Sequence, residues 1–218
     1  MHVLDEVSET LERDGVLIRE NLLPQALFEM HRARVVESWR NGGDWETRIK
    51  VGDDNRILPR QPDSAMPGIA EQVRQRRSDS GFQYLYHSMH QSKDSQGVVL
   101  PIVEDVRQAW RAELAQIAPA AEMTSFALTS FNPGCFLDAH NDHSESDKPF
   151  AVTLLLYFGS QDVEDSGGLV FNYRGTKQVI QARANVGVLF VPSPETEHWV
   201  DPIPTGAGAR LALSGWLL

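Results

Sequence analysis

The sequence predicts a mixed α+β chain whose core is mainly β, with helices from the N-terminal half packed on it. Before about residue 120 apolar positions recur at helical intervals; beyond it come short runs rich in Val, Leu, Phe and Thr, parted by turn clusters. The length of 218 residues suffices for a sizeable apolar interior, so one unit is expected. Residues 1–120 read as helical support with a few strands and residues 121–218 as the β core.

Val3, Leu4, Val7 and Leu11 share a helical face that stops at Asp14-Gly15, and Val16 to Ile18 then reads as a short strand. Pro24 suits the first position of a second helix, whose stripe of Leu27, Phe28, His31, Val35 and Trp39 ends at Gly42-Gly43. Residues 41–66, rich in Gly, Asp, Asn, Arg and Pro, hold no period and read as a long loop, the kind that serves as a lid or binding segment or is merely disordered. A charged stretch from Glu71 to Asp79 leads to Phe82–His90, aromatic and extended. Pro101 then opens a helix marked by Val103, Val106, Trp110, Leu114 and Ile117. Strand-like runs follow at 123–131, 150–158, 168–173, 177–181, 186–191 and 209–217, broken by NPG, DSGG, YRGT, NVG, PSP and TGAG turns. Such spacing means a sandwich or barrel.

Composition removes several function classes. Acidic residues number 30 against 20 basic, a formal charge of −10 that disfavours nucleic acid as a partner. No run of apolar residues is long enough to cross a bilayer and no secretory pattern opens the chain, so neither membrane insertion nor export is expected. Cys135 is the sole cysteine, which rules out an intrachain disulfide and fits a reducing, cytoplasmic setting; a catalytic thiol is the less favoured use of it.

The chemistry concentrates in three places. In Phe136-Leu137-Asp138-Ala139-His140-Asn141-Asp142-His143, strand alternation puts His140 and Asp142 on one face and His143 on the other, behind the ligands or on the surface. His198 comes 56 residues after Asp142, past an apolar strand and a Pro-rich turn, where a neighbouring strand would bring it to the same point. Two imidazoles and a carboxylate on one side of a metal leave three octahedral positions open, the arrangement of non-haem Fe(II) oxygenases. HxD alone fits a surface hydrogen-bonded pair equally well. Arg210 supplies the third place, a lone guanidinium in the apolar run ARLALSGWL, 12 residues beyond His198. Burying it demands a carboxylate. The distal carboxylate of 2-oxoglutarate would answer it bidentately; an internal Asp or Glu would answer it structurally.

With those residues in view, the segments SFNPGCFLDAHND, AVTLLLYFG, DSGGLVF, GVLFVPSPETEHWVDPI and GARLALSGW resemble the prolyl-hydroxylase type of Fe(II)/2-oxoglutarate dioxygenase, over more than half the chain. The resemblance implies a double-stranded β-helix, or jelly roll, as the core. It implies Fe(II), 2-oxoglutarate and O2, with iron on His140, Asp142 and His198 and the co-substrate on Arg210, Tyr157 and Ser214. Tyr157 and Trp216, the latter matching a tryptophan beside the family's site, fit core packing as well. The gap from His198 to Arg210 is longer than in some relatives, and Asn132 stands where some have tyrosine near the metal. Halogenating relatives lack the carboxylate ligand; Asp142 therefore implies hydroxylation or another oxidation.

The expected activity is hydroxylation of an unactivated C–H bond of a free amino acid or small metabolite, with succinate and CO2 released. A peptidyl-prolyl substrate, a non-oxidative metal enzyme of the same fold and a non-catalytic binding module are the alternatives. A small-molecule or peptide partner is expected; oligomeric state is not legible.

Overall fold

The computed structural model describes residues 3–76, 81–143, 149–160 and 167–218. Chain order runs α1 (Val3–Asp14), β1 (Val16–Arg19), α2 (Gln25–Asn41), β2 (Glu46–Val51), β3 (Asp54–Pro59), a 3-10 turn at Asp63–Ala65, α3 (Met66–Gln75), β4 (Gln83–His90), α4 (Val99–Ala109) and α5 (Arg111–Ile117). The second half is β5 (Met123–Phe131), β6 (Phe136–His140), β7 (Val152–Ser160), β8 (Leu169–Tyr173), β9 (Thr176–Ile180), β10 (Val186–Phe190), β11 (Thr196–Val200) and β12 (Arg210–Leu217). The strands pair antiparallel in the order β1-β10-β7-β12-β5-β4-β6-β11-β8-β9, with the β2–β3 hairpin joined to β4. The charged residues 77–79 and the start of the DSGG turn lie outside the described residues.

Strand alternation makes this sheet two-sided and so creates the site. On β7, Leu154, Leu156 and Phe158 face a core shared with Phe28, Val35 and Trp39 of α2 and Ile102, Val103 and Val106 of α4. Leu155 and Tyr157 face the opposite way, into a second core with Phe131, Phe171, Phe190 and Ala212. Each such fully buried side chain contributes about 1.5–3 kcal/mol. The helices thus back one face while the other curls around an interior.

Three sequence expectations need correcting. Residues 41–66 are not a long loop: β2 and β3 form a hairpin about Gly52, whose φ of 58° suits glycine. Its apolar period is hard to read because the buried positions alternate as Thr47 and Ile49 between charged neighbours. The helix expected to run from Pro101 to Ile117 begins at Val99 and breaks at Trp110, a buried residue that ends α4 and precedes α5. Pro24 caps α2 instead of opening it. The α3 helix, hidden in the charged stretch, packs Met66, Ala70 and Val73 inward.

The hairpin is locked to β4 by a buried histidine. Thr47 Oγ1 accepts the Gln61 N–H (2.8 Å) and lies within hydrogen-bond distance, 3.0 Å, of His87 Nδ1. Burial, helped by Arg60, lowers the His87 pKa to about 4. An unfolded histidine titrates near 6.5 and therefore takes up a proton that the folded state refuses until about pH 4. Stability must fall as pH drops through that interval. Denaturant midpoints measured from pH 7 to 4.5 should decline, and His87→Gln should flatten the decline by up to about 3 kcal/mol; parallel profiles for the two proteins would show that His87 contributes nothing to it.

Candidate active site

His140 and His198 meet by strand register. β6 and β11 pair so that His198 lies directly opposite His140, and the imidazole centroids are 4.2 Å apart. Asp142, two residues past His140, turns its carboxylate between them, with Oδ1 3.5 Å from His140 Nε2 and Oδ2 3.7 Å from His198 Nε2. One donor atom from each of the three lies within 4.8 Å of the others. His143 is exposed and is no part of the group.

The surroundings prepare these groups as metal donors. His140 Nδ1 is 2.9 Å from the Asp138 carbonyl and His198 Nδ1 is 3.4 Å from that of Thr196. A carbonyl only accepts, so the proton sits on Nδ1 and the Nε2 lone pair is free. Burial lowers the His198 pKa to about 4, reinforced by His140, which keeps this imidazole neutral near pH 7. Burial alone raises the Asp142 carboxyl, but at the acid pH where it titrates the hydrogen bond and charge of His140 and the charge of His198 outweigh burial and hold it at about 2. The Trp216 indole N–H adds a weaker pull from nearby without making a hydrogen bond of good geometry.

Sequence reasoning missed Thr153. It is the cross-strand partner of Trp216, and its hydroxyl donates to Asp142 Oδ2 at 2.9 Å. The period-two alternation of β7 puts Thr153 on one face with Leu155 and Tyr157 but does not by itself put Asp142 beside it.

Arg210 lies deeper, on β12. It is 3% exposed, and its guanidinium carbon sits 5.0 Å from the ring centroids of both Phe131 and Tyr157. Nη2 donates to the Tyr157 hydroxyl at 3.2 Å, while Nε and Nη1 have no partner among the described residues. No described acid pairs with it, so the structural salt bridge foreseen as the alternative is not what Arg210 makes among the described residues. Burial pushes the Tyr157 phenol upward, against Arg210, so its proton stays available for donation. Ser214, Trp216, Arg210 and the triad all line one cavity of about 340 Å³, with Phe82, Tyr84, Tyr86 and Phe131 on another wall. Tyr157 is fully buried behind Arg210.

These donors fit an iron and a keto acid. Two imidazoles and an ionised carboxylate suit a divalent ion with open positions, and a buried guanidinium with unfilled donors in the same cavity calls for a carboxylate. Cys135 is buried and its thiol is pushed up to about 12, far from a nucleophile's range. Asn132 is buried and accepts the Ser130 hydroxyl, away from the cavity lining.

Comparison with known proteins agrees with this geometry. Residues 126–218 match the sequence model of the 2OG-Fe(II) oxygenase superfamily. No curated protein matches the sequence. Among solved structures, a Pseudomonas putida prolyl-4-hydroxylase superposes with a TM-score of 0.64 at 19% identity, covering 99% of this chain and 98% of its own. A prolyl hydroxylase from Trichoplax adhaerens, in complex with a hypoxia-inducible-factor oxygen-degradation-domain peptide, gives 0.62 at 17% identity, covering 99% and 89%. The non-haem α-ketoglutarate-dependent epimerase SnoN of nogalamycin biosynthesis gives 0.64 at 11% identity, covering 99% and 82%.

The fold is therefore the double-stranded β-helix with added helices, of the prolyl-hydroxylase type. Residues 126–218, the stretch that carries the triad and Arg210, match the 2OG-Fe(II) oxygenase superfamily, and this match together with the structural neighbours indicates a 2-oxoglutarate-dependent Fe(II) oxygenase using Fe(II), 2-oxoglutarate and O2.

The Thr153 contact generates a test. Losing the donor that steadies a ligating carboxylate typically weakens metal binding about 10–100-fold. Thr153→Val should show that loss in chelator competition for a divalent ion, and Thr153→Ser should largely restore affinity; equal dissociation constants for wild type and the valine variant would dismiss the contact as incidental.

Proposed function

We propose that His140, Asp142 and His198 hold the iron, that Arg210 with Tyr157 and Ser214 holds the distal carboxylate of 2-oxoglutarate, and that the enzyme hydroxylates an unactivated C–H bond of a free amino acid or small metabolite. The observation that carries this is the buried Arg210 guanidinium, whose Nε and Nη1 lack partners within the cavity that the triad lines. Iron and 2-oxoglutarate together supply the oxidising chemistry, in which one oxygen atom enters the substrate and the other enters succinate as CO2 leaves.

The protein's part is positioning and exclusion. The Nδ1 contacts to the Asp138 and Thr196 carbonyls aim two Nε2 lone pairs inward, and Thr153 steadies Asp142. Arg210, clasped between Phe131 and Tyr157, offers fixed donors to a carboxylate, and the buried Tyr157 hydroxyl holds that guanidinium by accepting from Nη2. Apolar Leu155, Leu169, Val200 and Ala212 keep the space between them dry.

A small substrate agrees with the modest cavity, which the co-substrate must share. Peptidyl-prolyl hydroxylation is the second reading, favoured by the prolyl hydroxylases among the similar structures, one of them holding a peptide. Succinate release screened over amino-acid and peptide panels, with mass spectrometry for a gain of one oxygen, separates the two.

Alanine at His140, Asp142 or His198 should abolish succinate formation, and near-normal turnover in any variant would remove that residue from the ligand set. Arg210→Ala should raise the half-saturating 2-oxoglutarate concentration roughly thirtyfold or more, as expected for unpairing a buried charge; an unchanged value would refute the anchor.

A further inference from the structure

The cavity has a wall used by neither the triad nor Arg210. Phe82, Tyr84 and Tyr86 line it from β4 and its approach, with successive ring centroids 5.6 and 5.2 Å apart. The Tyr84 hydroxyl donates to Asn55 Oδ1 of β3 at 3.2 Å, which fixes that ring against the hairpin.

Register brings two cations to this wall. β2 pairs with β4 so that Lys50 opposes Tyr84 and Arg48 opposes Tyr86, and directly opposed residues project to the same face. Arg48 is already engaged, donating to the Ser88 hydroxyl at 3.0 Å and pairing with Glu46 at 3.2 Å. Lys50 makes no hydrogen bond or ion pair among the described residues, and its ammonium lies 5.8 Å from the Phe82 ring centroid. The same ring is 5.0 Å from the His140 imidazole. A single aromatic ring therefore separates a cation with unfilled donors from the triad.

Lys50 and Phe82 also border a surface hollow with Arg76 and Asp53, and Lys50 forms no ion pair with Asp53. Asp142 is the one carboxylate among the described residues lining the cavity. Lys50 itself borders that hollow, across the Phe82 ring from the cavity, and in a chain of formal charge −10 a local cation there selects for an anion that the protein's overall field would repel.

We propose that Lys50 is a specificity-determining residue that receives the substrate's carboxylate. The substrate is then a small organic acid whose apolar body lies on the Phe82–Tyr84 wall, with the C–H bond to be oxidised directed at the triad. One unpaired monovalent cation matches one carboxylate, and the aromatic faces match a branched or cyclic body. This inference rests on the oxygenase reading above and narrows its substrate class.

The test is calorimetric titration of the anaerobic protein loaded with Fe(II) and 2-oxoglutarate, using matched acids and primary amides: L-leucine with L-leucinamide, L-phenylalanine with L-phenylalaninamide, and 3-phenylpropionate with 3-phenylpropionamide. At least one acid should bind on the order of tenfold more tightly than its amide. Lys50→Met should erase that preference, and Lys50→Arg should keep most of it. Equal binding of acid and amide in every pair, including none by either, overturns the proposal, as does a preference that survives Lys50→Met. Failure of the protein to bind 2-oxoglutarate in the loading step would instead strike the oxygenase reading itself, so the two failures are told apart.

Discussion

Antiparallel pairing of β6 with β11 is the constraint on which the rest depends. It makes His140 and His198 direct neighbours although 57 residues separate them in sequence. A slip of one residue would turn His198 to the other face of the strand and leave Asp142 facing a single imidazole. The register is guarded by burial on both flanks: Phe171 of β8 lies opposite His198 in the sheet, and the Phe190 ring packs edge-on at 5.0 Å. The polar site is thus specified by the apolar residues that surround it.

The same two-sidedness explains how one strand serves both stability and chemistry. On β12, Leu211 and Leu213 face the helices while Arg210 and Ala212 face the interior. A cation in that interior is costly unless something answers it. The rings of Phe131 and Tyr157 answer it in part, and the unfilled Nε and Nη1 define what a ligand must bring. The deepest part of the fold is in this sense incomplete as a protein and complete as a carboxylate site.

Much of this was legible because the second half obeys simple periods. The runs at 123–131 and 186–191 fall on β5 and β10 almost residue for residue, and the HxD spacing, the lone late histidine and the arginine in an apolar strand could each be read from residue type and alternation. The β2–β3 hairpin was not legible, because only Thr47 and Ile49 alternate inward and the rest of the segment is polar enough to pass for loop. Thr153 was hidden for a related reason: within VTLLLYFG it reads as a β-branched strand residue, and only the three-dimensional return of the chain after His140 puts a carboxylate beside it. The aromatic wall was visible as composition, but its facing towards the triad follows from β4 lying between β5 and β6, a non-sequential neighbour relation that no local pattern encodes.

The central claim is that triad and guanidinium act on one metal-chelated keto acid. Anaerobic addition of 2-oxoglutarate to the Fe(II)-loaded protein, followed by visible absorption, tests it most directly. The account predicts a broad charge-transfer band that appears with wild-type protein and is lost when His198 is replaced. A wild-type protein that binds Fe(II) yet develops no band at saturating 2-oxoglutarate would contradict it.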